Sequence, residues 1–120
     1  MKISEASCAC GLSADTIRYY ERCGMLPEIA RAPDGHRVFG PRELDWLTLL
    51  YWLRETGMPL AAMKRFTHLA KAGAPGLEER RRILLDHAAE LRRRRALLDR
   101  CEEVLAVKIA RYGAEAEGRG

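Results

Sequence analysis

Leu77, Leu84, Leu91, Leu98, Leu105 and Tyr112 stand seven residues apart, and no Gly or Pro interrupts the run. A seven-residue apolar repeat held over five intervals specifies one long helix whose seam faces another helix. At 1.5 Å per residue it is about 54 Å long. Alone such a rod cannot bury its stripe, so it demands a partner. The half-heptad positions are mixed. Ala88 and Ile109 fit a seam, whereas Arg81, Arg95 and Glu102 do not. The pattern predicts a pairing helix with polar gaps.

Ahead of the rod lies Ala72-Gly73-Ala74-Pro75-Gly76, the clearest linker in the chain. The expected division is a head over 1–72, a linker over 73–76, a pairing helix over 77–112 and a flexible tail over 113–120, rich in Gly, Ala and charge. In the head, residues 3–10 read as a short helix ending at Gly11. Ser13 is a good N-cap for a second helix reaching Arg22, and Gly24 ends it. Ile17 and Tyr20 can face inward on this helix, while Asp15, Arg18, Tyr19 and Arg22 can share its outer face. Two helices joined by a tight turn read as helix-turn-helix.

After Leu26-Pro27 the pattern turns extended. Asp34-Gly35 is a two-residue hairpin signal between strands at 29–32 and 36–39, which makes a small wing. Pro41 opens a third helix, Gly57-Met58-Pro59 breaks it, and a fourth runs from 60 to 71. A basic helix followed by a basic hairpin suits DNA, with the helix in the major groove and the hairpin beside it.

Composition is compatible but not decisive. The 120 residues are 48% hydrophobic, enough for a modest core, and the net charge is +4. Residues 1–72 carry 10 basic and 8 acidic side chains, and 73–120 carry 11 and 9. Any nucleic-acid signal must therefore lie in local placement. No apolar run approaches the roughly 20 residues of a membrane span, and the start lacks the apolar core of a signal peptide. A cytoplasmic protein with reduced thiols at Cys8, Cys10, Cys23 and Cys101 is expected.

Four fragments in order carry a family resemblance. They are Leu12-Ser13-Ala14-Asp15-Thr16-Ile17-Arg18-Tyr19-Tyr20-Glu21, Gly24-Met25-Leu26-Pro27, Gly35-His36-Arg37-Val38-Phe39, and Leu53-Arg54-Glu55-Thr56-Gly57-Met58-Pro59-Leu60. Followed by a single long helix, they resemble the MerR family of bacterial transcription regulators over nearly the whole chain. The resemblance implies a mainly α fold: a winged helix-turn-helix head, then a dimerisation helix that forms an antiparallel coiled coil. It implies a homodimer on promoter DNA with an overlong spacer, which members twist and bend so that RNA polymerase can use it.

Roles follow on matching positions. Thr16, Arg18 and Tyr19 lie on the recognition helix, with Arg18 contacting base or phosphate. Tyr20 either contacts a phosphate or closes the core. Arg31 and Arg37 flank the wing and pair with phosphates, and Arg54 supports a second wing at 57–60. His36 replaces a tyrosine usual in the family and is a donor whose charge depends on pH. Cys8 stands where a basic residue is common.

The family's effector sites do not transfer. Metal sensors and the redox branch place cysteines after the long helix, where this chain has none beyond Cys101, and drug sensors add a large C-terminal domain. No metal or cofactor is expected. Leu77-Glu78-Glu79-Arg80 and Ile83-Leu84-Leu85-Asp86 look most like the short, aldehyde-responsive branch, whose cysteine near the position of Trp52 is missing here.

Blander readings stand beside the sharper ones. Cys8 and Cys10 point about 200° apart on a helix and cannot share an ion. Arg92 to Arg95 spread around a helix and read as a solvated surface, with Glu90 four before Arg94 and Glu78 four before Arg82. Cys101 borders the seam. Trp46, Tyr51 and Trp52 can line an aromatic effector pocket or simply pack the core. A coiled-coil interaction module whose head has lost DNA binding is the competing function, and Arg18 and Arg37 argue against it. No catalytic constellation can be argued, so an enzyme is not expected.

Overall fold

The computed structural model describes residues 1–118. Its elements run α1 (Ile3–Cys10), α2 (Ala14–Arg22), β1 (Ala30–Arg31), β2 (Arg37–Val38), α3 (Pro41–Glu55), α4 (Leu60–Lys71) and α5 (Leu77–Ala116), with a 3-10 turn at Ala74–Gly76 before α5. Two compact units result, residues 1–84 and residues from 85 onward.

Local chemistry explains the helix ends of the first unit. The Glu5 carboxylate accepts the Lys2 N–H at 3.1 Å, and Ser13 Oγ accepts the Thr16 N–H at 3.1 Å, so each helix starts with a donor satisfied. At the end of α2, Gly24 N–H donates to Glu21 O and Met25 N–H to Tyr20 O, with Gly24 at φ +73°. Gly57 and Met58 repeat this on Arg54 and Leu53 at the end of α3. Both are Schellman closures, and each sends a methionine inward: Met25 and Met58 are buried.

The core of this unit draws on every helix and on the wing. Ala6 and Cys10 come from α1, Ile17 and Tyr20 from α2, Phe39 from the end of the wing, Leu47, Leu50 and Leu53 from α3, and Met63 and Phe66 from α4. Each fully buried Leu, Ile or Phe contributes roughly 1.5–3 kcal/mol. Gly11 lets α1 approach α3: a Cβ there would lie 2.7 Å from the Tyr51 ring. Gly76 is tighter still, because a Cβ would run into the Leu69 carbonyl oxygen. The presumed linker is thus the seat on which α5 starts. Ile83 and Leu84 pack against the head core, and Arg65 grips the Glu79 carboxylate at 2.8 and 3.0 Å. That exposed pair contributes about 0–1 kcal/mol.

The wing differs from the expectation. Ala30 pairs with Val38 and Arg31 with Arg37 in an antiparallel ladder shorter than the predicted strands. The connection is a three-residue loop rather than a two-residue one. Ala32 N–H donates to His36 O, and Gly35 N–H closes a turn on Ala32 O. Pro33 takes the position after Ala32 that suits its fixed φ, and Gly35 follows the turn at φ +88°. Phe39 leaves the ladder because its backbone pairs instead with Met1, N–H to carbonyl at 2.8 Å and terminal amine to carbonyl at 2.9 Å.

The second unit is the rest of α5. No residue of α5 is buried. Leu98, Leu105 and Tyr112 are 64%, 51% and 60% exposed, and Leu97, Val104 and Ile109 widen the stripe. Of the six heptad residues, Leu84 is partly covered by the head, so the head takes up part of the seam's start. The helix runs through Gly113 to Ala116, where flexible chain was expected. One Gly costs about 1 kcal/mol in a helix, and Ala114, Glu115 and Ala116 are favourable formers that carry it on. Residues 119 and 120 of the expected tail lie outside the described residues. On the rod's surface Glu90 binds Arg93 at 2.6 Å and Arg94 at 3.3 Å. Glu78 pairs with Arg81, three residues on, rather than with Arg82.

Candidate nucleic-acid interface

Helix α2 buries Ile17 and Tyr20, which fixes the opposite face as its outer one. Thr16 and Arg18 are half-buried there, while Tyr19 and Arg22 are exposed. Arg18 Nη1 rests 3.0 Å from Asp15 Oδ1, an exposed pair that constrains the guanidinium loosely. The Arg22 guanidinium lies 6.0 Å from the centre of the Tyr19 ring. The Tyr19 phenol is hydrogen-bonded with the Cys23 thiol, which raises its pKa. Tyr19 is therefore a neutral donor, suited to an acceptor on a base or phosphate.

Tyr20 is a core residue, only 3% exposed. Of its two expected roles, the structure gives it closure of the core. Burial pushes its hydroxyl pKa up, opposed by the positive charge of Arg54. Arg54 itself is exposed near the end of α3, just before the closure at Gly57.

The wing arginines converge on α2. Arg37 Nε donates to Glu21 Oε1 at 2.8 Å, and Arg31 Nη2 is 4.0 Å from the same oxygen. Arg31 Nη1 also donates to Gly35 O at 3.0 Å. His36 sits at the tip, with its backbone N–H on Asp34 Oδ1 and its ring Nδ1 2.9 Å from Asp34 Oδ2. These two bonds hold the Asp34 carboxyl below its ordinary range. Cations thus stand on both elements, Arg18 and Arg22 on the helix and Arg37 and Arg31 on the hairpin, and the hairpin pair is tied to the helix through Glu21. Glu21, the residue that ties the two, escaped the sequence reading. Nothing local in the sequence marked it, since Asp15 already stands as an acid beside the arginines of the same helix.

The aromatic trio does not form one pocket. Trp46 stacks on Phe66 with centroids 5.5 Å apart, and its Nε1 donates to Met25 O at 2.9 Å. It lines an open cleft of about 680 Å³ with Leu26, Arg42, Leu49, Thr67 and Lys71, among others. Tyr51 instead packs against Gly11, and Trp52 meets Tyr51 edge-on while remaining 57% exposed. Along α3 these side chains point in different directions, because positions 46 and 51 are about 140° apart on a helix. Cys10 is buried, accepting the Leu12 N–H, whereas Cys8 and Cys101 are exposed. Among the described residues no three His, Cys, Asp or Glu side chains gather into a metal site, and no helix is long and apolar enough to cross a membrane.

Comparisons with known proteins meet this geometry. Residues 1–69 match the family model described as "MerR HTH family regulatory protein", and residues 44–107 match "MerR, DNA binding". An uncharacterised helix-turn-helix transcriptional regulator of Haemophilus influenzae is 36% identical over 102 residues, covering 85% of this chain and 76% of that protein. Among solved structures, HiNmlR, a MerR family regulator lacking the sensor domain and bound to promoter DNA, superposes with a TM-score of 0.86 at 35% identity, covering 98% of this chain and 94% of the other. A MerR family regulator from Listeria monocytogenes gives the same TM-score, 0.86, and 35% identity over 98% of this chain and 89% of its own. The winged head and the long helix that follows it match these models and superpose on these structures over 98% of the chain, and the chain belongs to the MerR family of helix-turn-helix regulators.

Proposed function

We propose that the chain works as a homodimer whose C-terminal rods pair antiparallel through Leu91, Leu98, Leu105 and Tyr112, so that two heads occupy one promoter. In each head α2 enters the major groove with Thr16, Arg18 and Tyr19, Arg31, His36 and Arg37 grip phosphates beside it, and Arg54 supports a second grip at residues 57–60. Twisting and bending of the DNA between the heads then adapts the promoter to RNA polymerase. Sequence-dependent deformability would contribute specificity at base pairs the protein never touches.

The observation that carries this reading is the convergence of the wing arginines on the recognition helix through Glu21. It is supported by the likeness to a MerR regulator held on promoter DNA. The unburied stripe of α5 supports the dimer, since an apolar face of this length is left unsatisfied in a single chain.

The test is selection of duplexes from a random-sequence pool, followed by gel shift across a salt series. Enrichment of a two-half-site sequence is expected, with affinity falling steeply as salt rises. Light scattering should give twice the 13.6 kDa chain mass. Failure to enrich any sequence from the pool, or a monomer at working concentration, defeats the reading.

A further inference from the structure

Glu21 sits on the last turn of α2, and its Oε1 is the point where helix and wing meet. Arg37 Nε donates to it at 2.8 Å in a pair whose side chains are only 23% and 25% exposed. Engagement through Nε directs that edge of the guanidinium at the carboxylate and leaves its two terminal amino groups to face an anion. Arg31 is bound differently: it is 51% exposed, 4.0 Å from Glu21, and anchored on Gly35 O.

We propose that Glu21 is a positioning residue for DNA binding: its carboxylate orients Arg37 toward one phosphate and couples the wing to the helix in the groove. The proposal rests on the reading of the wing as a phosphate grip. Arg37 is then the fixed strut, and Arg31 the adaptable contact that exchanges its long approach to Glu21 for phosphate. Without the carboxylate, a guanidinium in this half-desolvated setting is left unpaired and swings toward solvent.

The sign of the effect separates positioning from plain charge. A carboxylate beside DNA repels phosphate, so charge alone makes Glu21→Gln bind more tightly. Positioning makes it bind more weakly. The probe is the duplex enriched by the unaltered protein, titrated at four salt concentrations. Glu21→Gln should bind about tenfold more weakly and lower the salt slope by about one. Glu21→Asp should recover part of the loss, and Glu21→Gln combined with Arg37→Ala should be no weaker than Arg37→Ala alone. Glu21→Gln binding as tightly as the unaltered protein, with its slope intact while Arg37→Ala loses both, overturns the proposal and leaves the wing reading standing. Arg37→Ala with unchanged affinity and slope overturns the wing reading itself. Where Glu21→Gln fails to fold, Arg37→Lys carries the test. It keeps the charge but cannot bridge carboxylate and phosphate as a guanidinium does, so affinity equal to the unaltered protein's counts against positioning.

Discussion

The head and the rod solve the problem of burial in opposite ways. Residues 1–84 close a core from four helices and a hairpin, with Ile17 and Leu50 wholly inaccessible. The C-terminal rod keeps regular backbone hydrogen bonding but buries nothing, and Leu98 and Ile109 stand more than 60% exposed. The head covers its core within a single chain; the rod leaves its apolar stripe uncovered, which is the face the proposed dimer would use. One sequence thus carries two patterns, an apolar set covered within the chain and an apolar stripe that the chain itself does not cover.

That contrast breaks most directly at the rod. Leu98→Asp with Leu105→Asp should give a monomer by light scattering and weaken binding to a two-half-site duplex on the order of a hundredfold or more, because two heads no longer act as one ligand. The melting transition of the head should persist. Loss of head folding in this variant would mean that the two regions are not separable. Gly76→Ala attacks the head's own closure. Its Cβ meets the Leu69 carbonyl, a backbone atom that cannot rotate away, so about 1–3 kcal/mol should be lost in thermal denaturation. Ser13→Ala removes the oxygen that accepts the Thr16 N–H and should cost about 1 kcal/mol in the same assay.

The smallest effect belongs to the rod's surface. The Arg93 hydrogen bond, helped by Arg94, lowers the Glu90 carboxyl from its ordinary 4.5 to about 2. A depressed pKa means that the stabilisation is present above pH 4.5 and is lost as pH falls toward 2. Helicity followed by circular dichroism across that window should fall slightly more in the unaltered protein than in Glu90→Gln. Identical titrations would show that the ion pair contributes nothing to the rod, as many exposed pairs do.

Helix boundaries were legible because their determinants are local. Ser13, Gly24, Gly57 and Pro59 act on the backbone within a turn of themselves, and the observed limits of α1, α2 and α4 agree with the sequence reading. The wing was less legible, since Pro33 competes with Asp34-Gly35 for the turn and lengthens the loop by one residue. For Trp46, Tyr51 and Trp52, read as either a pocket or core packing, the spacing already carried the fan of directions seen: Trp46 and Tyr51 pack within the head and Trp52 is exposed. Glu21 and the Met1–Phe39 pairing depend on chain segments that meet only after folding, and neither leaves a local pattern. Leu84 belongs to a heptad by spacing and to the head by packing, because the repeat records what can face a partner and not which partner arrives first.

The unlike settings of the two tryptophans have a practical consequence. Trp46 is stacked and hydrogen-bonded inside the first unit, whereas Trp52 faces water from the same helix. Intrinsic fluorescence should therefore contain two emitters, a bluer one from partly buried Trp46, less readily quenched by acrylamide, and a redder one from Trp52, more readily quenched. Replacing Trp52 with Phe would leave a single-colour optical reporter of head integrity, readable in every variant described above without attaching a dye.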